Sequence, residues 1–326
     1  MANEVVPGMG HVLSVLIVLG GLAFNIGNIA GAGLGIQLLF EGNDQPVPLL
    51  WGVWISALIG LIVFWFKEIG KAMDLFSKIL GGIMILLTLY VVFLSKPDLG
   101  TAVTHTFIPE KIDLMAIITL VGGTVGGYIS FAGAHRLLDA GVTGPENKSV
   151  VTKGSIQAIL IASLMRILLF LAALGVITTG IQWNESNPAA SVFESAAGSI
   201  GLKIFGLVLW SASITSVVGS AYTSVSFLRT MHPRMQQQQR IIISVFILCS
   251  TIIFTLIGKP VQVLIWAGAL NGLILPVALA LMLLAIRRFP DLQRSHSKWL
   301  QIAGWLVVVI MLAMSTKVLA DTLFKS

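Results

Sequence analysis

The stretch Val121–Gly141, VGGTVGGYISFAGAHRLLDAG, sets four glycines, Gly122, Gly123, Gly126 and Gly127, inside an otherwise apolar helical run. Each glycine lowers helix propensity by about 1 kcal/mol relative to alanine, so the backbone is predicted to unwind midway. In hydrocarbon an unwound backbone survives only where protein buries it or water lines it, and its released carbonyls then form a ligand set for a cation. The same glycines also suit tight packing of one helix on another. The residues alone leave both readings open.

Outward from that stretch the chain is too apolar for a soluble domain. Of its 326 residues 56% are hydrophobic and 10% charged, against about 25% charged in soluble domains. Runs of about 20 apolar residues, long enough to cross a bilayer, fall at roughly 11–39, 48–66, 73–95, 114–138, 151–180, 199–228, 240–258, 261–286 and 299–322, which makes nine predicted spans in an all-α, polytopic membrane protein. Basic residues number twelve in the loops reached after even crossings, among them Lys67, Lys71, Lys148 and Arg287, and six on the other side. This bias predicts a cytoplasmic N-terminus and an external C-terminus in the cell membrane. The net charge of +6 is spread over short loops, so nucleic acid is excluded as a partner and the lipid bilayer is expected instead. Cys249 is the single cysteine, which excludes an intrachain disulfide and zinc-ligand spacing. Segments 96–113 and 182–198 read as external loops, with a short amphipathic helix near Ser191–Gly198.

Polar residues inside the spans mark candidate pathway positions. Asn25 and Asn28 lie beside a stripe of Gly27, Gly31 and Gly35, where a neighbouring helix can come close. The two amides suit either helix-to-helix hydrogen bonding or a cavity lining. His135 and Arg136 end the glycine-broken span, with Arg136 three residues from Asp139. Arg166 is the one charge deep in an apolar run and requires a protein or water partner, which suggests gating rather than contact with a cation. Ser213, Ser216 and Ser220, with Thr223, recur at helical spacing. They suit a hydrated route or, equally, bonds back to their own helix. Asn271 sits beside Gly272 and ahead of Pro276, in a segment where backbone groups are again released. Neither HExxH nor GxSxG occurs and the five histidines are scattered over loops and helix ends, so enzyme chemistry is not expected.

With these residues placed, the chain resembles the NRAMP family of divalent-metal transporters, in a divergent bacterial branch. LAFNIGNIAGAGLGIQLLFE is similar to the family's third helix and MDLFSKILGGIMILLTLYVVFLSKPD to its fifth. GGTVGGYISFAGAHR is similar to the discontinuous sixth, and PVQVLIWAGALNGLILP to the tenth. The resemblance implies a secondary-transporter fold of two inverted five-helix repeats, with 11–95 the remainder of the first repeat, 114–286 the second and 299–322 an extra C-terminal helix, all in a single transmembrane domain. Counted this way the chain begins at helix three. The first two helices, with the family's Asp-Pro-Gly metal motif, are expected to be missing, and no DPG string occurs.

The resemblance also implies a site. Gly123 is to offer a backbone carbonyl, and Gly126 stands where the family has a methionine. Gly126, Gly127 and Tyr128 replace the family's Met and Pro-His pattern, so no thioether is present. With Asn271 opposite, an oxygen-rich site is expected, suited to a Mn, Mg or Fe class divalent cation carried as substrate, with no cofactor. Asn25 and Asn28 match positions that are usually acidic in the family, and an amide carries no proton, which removes that route for proton coupling. The expected function is movement of a divalent metal cation across the cytoplasmic membrane by alternating access. The alternative is a truncated, non-transporting protein whose exposed groove binds or regulates a membrane-protein partner.

Overall fold

The computed structural model describes residues 2–42, 47–125, 137–138, 140–178, 187–229, 233–289 and 297–324. Its principal helices are α1 (Met9–Leu39), α2 (Leu49–Trp65), α3 (Lys67–Ser95), α4 (Leu99–Phe107), α5 (Leu114–Leu120), α6 (Lys148–Thr178), α7 (Pro188–Arg229), α8 (Gln239–Ile257), α9 (Pro260–Arg288) and α10 (Lys298–Phe324). No strand occurs among the described residues. Seven helices are long and apolar enough to span a membrane, and two shorter apolar helices, Leu49–Trp65 and Leu114–Gly123, fall where the remaining spans were expected. The fold is that of an all-α, multi-pass membrane protein. Helix is the form that satisfies every backbone polar group from within one segment, which hydrocarbon requires.

The helix ends follow local chemistry. Asp98 caps α4, its carboxylate accepting from the backbone N–H of Gly100 at 2.9 Å and of Thr101 at 3.1 Å. The segment 96–113, expected to be loop, therefore contains a helix, because an N-capping aspartate supplies acceptors for the first free amides. Asp113 starts α5 in the same way, accepting from Ala116 N–H at 2.9 Å. The short helix expected near Ser191–Gly198 is the first part of α7, which breaks at Gly198 with φ 60° and ψ −150°. That backbone geometry is open essentially to glycine alone.

Packing divides the chain into two compact units, one of Met1–Asn28, Asp113–Arg136 and Gly219–Ser326, the other of Ile29–Ile112 and Leu137–Val218. In the second unit the core runs through α1, α3, α6 and α7, with Leu38, Met84, Val91, Ala172 and Val176 around Phe193 and Phe205. Those two rings stack with centroids 4.9 Å apart. The predicted glycine stripe of α1 serves close approach there: a Cβ at Gly35 would lie 2.6 Å from the Trp210 amide nitrogen and 2.7 Å from the Gly206 carbonyl oxygen of α7.

The first unit is built on α9. Gly27 of α1 packs on Leu264 and Ala267. Ile118 of α5, Leu275 of α9 and Met311 of α10 form a buried cluster flanked by Val121, Met314 and Val318. Among the described residues after Leu120 the helix does not unwind: Val121 N–H is shared between the carbonyls of Ile117 and Ile118, and Val121–Val125 is a π turn. The wider coil answers the glycine weakness by changing the hydrogen-bond step instead of releasing the backbone altogether. Residues 126–136, where the rest of the expected break falls, lie outside the described residues.

A Cβ at Gly122 would collide with the Gly268 carbonyl and the Gly272 amide nitrogen of α9, both of them backbone atoms that cannot swing away. Gly122→Ala is therefore expected to lower stability by about 1–3 kcal/mol, read as an earlier thermal transition of the detergent-solubilised protein. Gly81→Ala, where a Cβ meets nothing within 4 Å, is the control and should be neutral or stabilising by up to about 1 kcal/mol.

Candidate metal centre

The junction of α5, its π turn and α9 is a contact of backbone on backbone. Gly122 abuts Gly268 and Gly272, the Ile118 carbonyl abuts Gly272, and a Cβ built on Gly123 would stand 3.6 Å from the Gly268 Cα. Two features of α9 put oxygen atoms at this level. Pro276 lies inside the helix, and its missing N–H removes the i+4 donor that the Gly272 carbonyl would otherwise have. Asn271, 1% exposed, donates through Nδ2 to the Ala267 carbonyl at 2.9 Å. Its Oδ1 is buried with no partner. The amide orientation is fixed by that donation, so the free atom is the acceptor.

Of the residues singled out in the sequence, Gly123 and Asn271 therefore fall on two elements that pack together. Asn25 belongs to the same unit and is fully buried, with neither Oδ1 nor Nδ2 hydrogen-bonded; the Nδ2 of Asn28 is likewise unpartnered. The helix-to-helix hydrogen bonds open to Asn25 in the sequence reading are not formed. Gly126, Tyr128, His135 and Arg136 lie outside the described residues. Arg166 is half-buried on α6, and it, Ser213 and Ser216 belong to the other unit.

The hydroxyl stripe on α7 is buried at Ser213, Ser220 and Thr223. Beside it two further hydroxyls, also buried, bond to their own helix, Ser224 Oγ donating to the Ser220 carbonyl at 2.8 Å and Ser226 Oγ to the Thr223 carbonyl at 2.6 Å. Ser213 Oγ would lie 2.7 Å from a Cβ on Gly31, which makes it a close-packing residue of the second unit.

The sequence reading missed Gly268, Thr119 and Ser315, and treats Gly272 as a helix interruption without its part in close packing. The glycine pair had a signal, GALNG with glycines four apart on one helix face. Thr119 and Ser315 had none, since their buried, unpartnered hydroxyls emerge only when three helices are packed. Among the described residues no group of three or more His, Cys, Asp or Glu side chains is placed to hold a metal. A cation at this junction would be met by neutral oxygens, which are the ligands of hard ions.

One carboxyl group at the membrane edge is perturbed. Burial, and secondarily the negative charge of Glu194, raise Glu41 above its ordinary value of 4.5. Asp98 moves the other way, held down chiefly by the side-chain hydrogen bond from Thr101 and by that residue's backbone N–H.

These features define a class: a polytopic α-helical membrane protein organised on a π-interrupted helix packed backbone to backbone against a proline-containing one. Residues 1–321 match the family described as natural resistance-associated macrophage protein-like, and the chain belongs to this Nramp family. It is 53% identical over 324 residues to the uncharacterized membrane protein YcsG of Bacillus subtilis, covering 99% of this chain and 79% of that relative. An uncharacterized membrane protein of Haemophilus influenzae is 50% identical over 318 residues, 97% of this chain and 79% of its own length. The divalent metal cation transporter MntH of Latilactobacillus sakei is 29% identical over 124 residues, 36% of this chain and 26% of that protein.

A buried amide with no partner costs about 1–3 kcal/mol. Asn25→Ala, which removes the amide without adding volume, is expected to cost the solubilised protein less stability than a buried apolar truncation of the same size, by about that amount; a loss of melting temperature as large as for Leu34→Ala would show that Asn25 is already satisfied. For Glu41 the folded-state value is raised, so its contribution to stability is fully present below about pH 4.5 and is lost as pH rises through the raised value. The melting temperature of Glu41→Gln relative to wild type should therefore climb across that window and level off above it.

Proposed function

We propose that the protein is a secondary transporter moving a divalent cation of the Mn, Mg or Fe class across the cytoplasmic membrane by alternating access around the interrupted helix. The observation that carries this is the buried, unpartnered Oδ1 of Asn271 beside Gly272, whose carbonyl Pro276 deprives of its i+4 donor, on the helix that packs against the π turn at Gly122 and Gly123. Membership of the Nramp family supports the reading, as does the similarity to a protein named for divalent metal cation transport. Asn271 and the carbonyls of Gly123 and Gly126 replace part of the ion's water shell. The site has neutral oxygens and no sulfur donor at Gly126, so hard ions are preferred to thiophilic ones.

In this reading 11–95 and 114–286 form the inverted repeats and 299–322 an additional helix, with the N-terminus cytoplasmic and the C-terminus outside. The chemistry is ligand exchange alone, with no covalent step and no resident cofactor.

Uptake of radiolabelled Mn²⁺ into proteoliposomes tests the proposal. Wild type is expected to accumulate Mn²⁺ and to be competed by Mg²⁺ more effectively than by Cd²⁺. Asn271→Leu is expected to reduce uptake about 10–100-fold, the cost of losing one charge-assisted ligand, without a lower melting temperature. Absence of any divalent-ion flux in the wild type would overturn the assignment.

A further inference from the structure

Thr119, Asn271 and Ser315 each leave a buried side-chain oxygen without a hydrogen-bond partner, on three helices, α5, α9 and α10, that pack on one another. The antiparallel pair α9 and α10 sets the register. Gly304 packs on Leu283, and Met311 shares a buried cluster with Leu275 and Ile118. One further turn along α10 reaches Ser315, and one turn back along α9 reaches Asn271. Thr119 comes within a turn of that level from α5, its Cγ2 standing 3.1 Å from a Cβ built on Gly268, three residues before Asn271.

What sets the three oxygens apart from the other unpartnered ones is that they sit on three helices that pack on one another. Many threonine and serine hydroxyls of the helices turn back to the carbonyl four residues earlier, as Thr88 does to Met84 at 2.7 Å, Thr251 to Ile247 at 2.8 Å and the adjacent Thr316 to Leu312 at 2.8 Å, whereas those of Ser56 and Ser95, like those of Thr119 and Ser315, are buried without a partner. Thr119 and Ser315 forgo that bond. Ser315 does so at 5% exposure, where bulk solvent cannot compensate.

We propose that one ordered water occupies the junction of α5, α9 and α10, donating to Asn271 Oδ1 and accepting from the hydroxyls of Thr119 and Ser315. Three bonds are the usual complement of a buried water. An acceptor whose own N–H₂ is committed to Ala267 needs a donor, and two hydroxyls that ignore their own helix need an acceptor. One water supplies both. An alkali ion fits less well, because neither α5 with its π turn nor α9 contains an acidic residue to balance the charge.

The water makes Ser315 a positioning residue. It ties α10 to the Asn271 amide, whose oxygen has a second lone pair left for the transported ion. This positioning role rests on the transport reading, whereas the hydration site does not.

Two measurements on the full-length protein test it. A structure of the wild type at a resolution that shows waters should place density about 2.7–3.0 Å from all three oxygens. A direct Ser315–Asn271 hydrogen bond, an empty junction, or density with the shorter contacts of a coordinated ion would overturn the proposal. In proteoliposomes, Ser315→Ala should raise the KM for Mn²⁺ about 3–10-fold with little change in Vmax, and Ser315→Thr, which keeps the hydroxyl, should restore it. Equal KM values for Ala, Thr and wild type would overturn the positioning role. A wild type that carries no divalent ion would sink the transport reading and the positioning role with it, and leave the water to be judged on its density.

Discussion

A main chain in hydrocarbon has no water to fall back on, so each amide and carbonyl must be satisfied by the protein itself. The interruption at Val121–Val125 is governed by this constraint. Gly122 and Gly123 weaken the α-helix, yet over Val121–Val125 the chain does not release its backbone. It lengthens the hydrogen-bond step into a π turn and lays the widened coil against α9, where Gly268 and Gly272 let two backbones meet without side chains between them. Close approach and helix interruption, which from the residues alone stood as rival readings of the same glycines, are here one arrangement. The π turn lies so close to α9 that a Cβ at Gly122 would meet the backbone of Gly268 and Gly272.

What the sequence revealed follows from the range of each interaction. A span is a property of about 20 consecutive residues, so the helical, membrane-crossing character of the chain was legible from hydropathy alone. The helix Leu99–Phe107 was not, because it is short, rich in threonine and preceded by a lysine-proline pair that reads as loop; one capping carboxylate, Asp98, decides it. Gly123 and Asn271 were legible as site candidates because glycine and an amide are conspicuous in apolar runs. Their nearness depends on α5 packing on α9, and no local pattern reports that. Ser315 shows the limit most plainly. It resembles its neighbour Thr316, yet Thr316 bonds to its own helix and Ser315 does not. The difference lies in which face of α10 meets α9.

The serines of α7 run the opposite way. Their helical spacing was visible at once, and it invited a hydrated route along the helix. The structure buries Ser213 and Ser220, and the neighbouring Ser224 and Ser226 bond back to their own helix. A hydroxyl stripe therefore carries little information until its partners are known, whereas an unpartnered buried amide such as Asn25 carries a good deal. It represents a cost of about 1–3 kcal/mol retained at a fully buried position.

An uncharged cradle constrains what it can hold. A divalent ion surrounded only by carbonyl and amide oxygens keeps its charge uncompensated, and full dehydration in such surroundings is prohibitive. The ion must then carry part of its water with it, which hard cations that dehydrate reluctantly do most readily. Fixed waters next to the protein ligands have a part in such a site, since they hold neutral dipoles in orientations that would otherwise relax away from the charge. With no cluster of three or more acidic or metal-ligating side chains among the described residues, orientation of neutral groups is the principal means by which this junction can stabilise a cation. The unpartnered oxygens at the meeting of α5, α9 and α10 are where that orientation would be set.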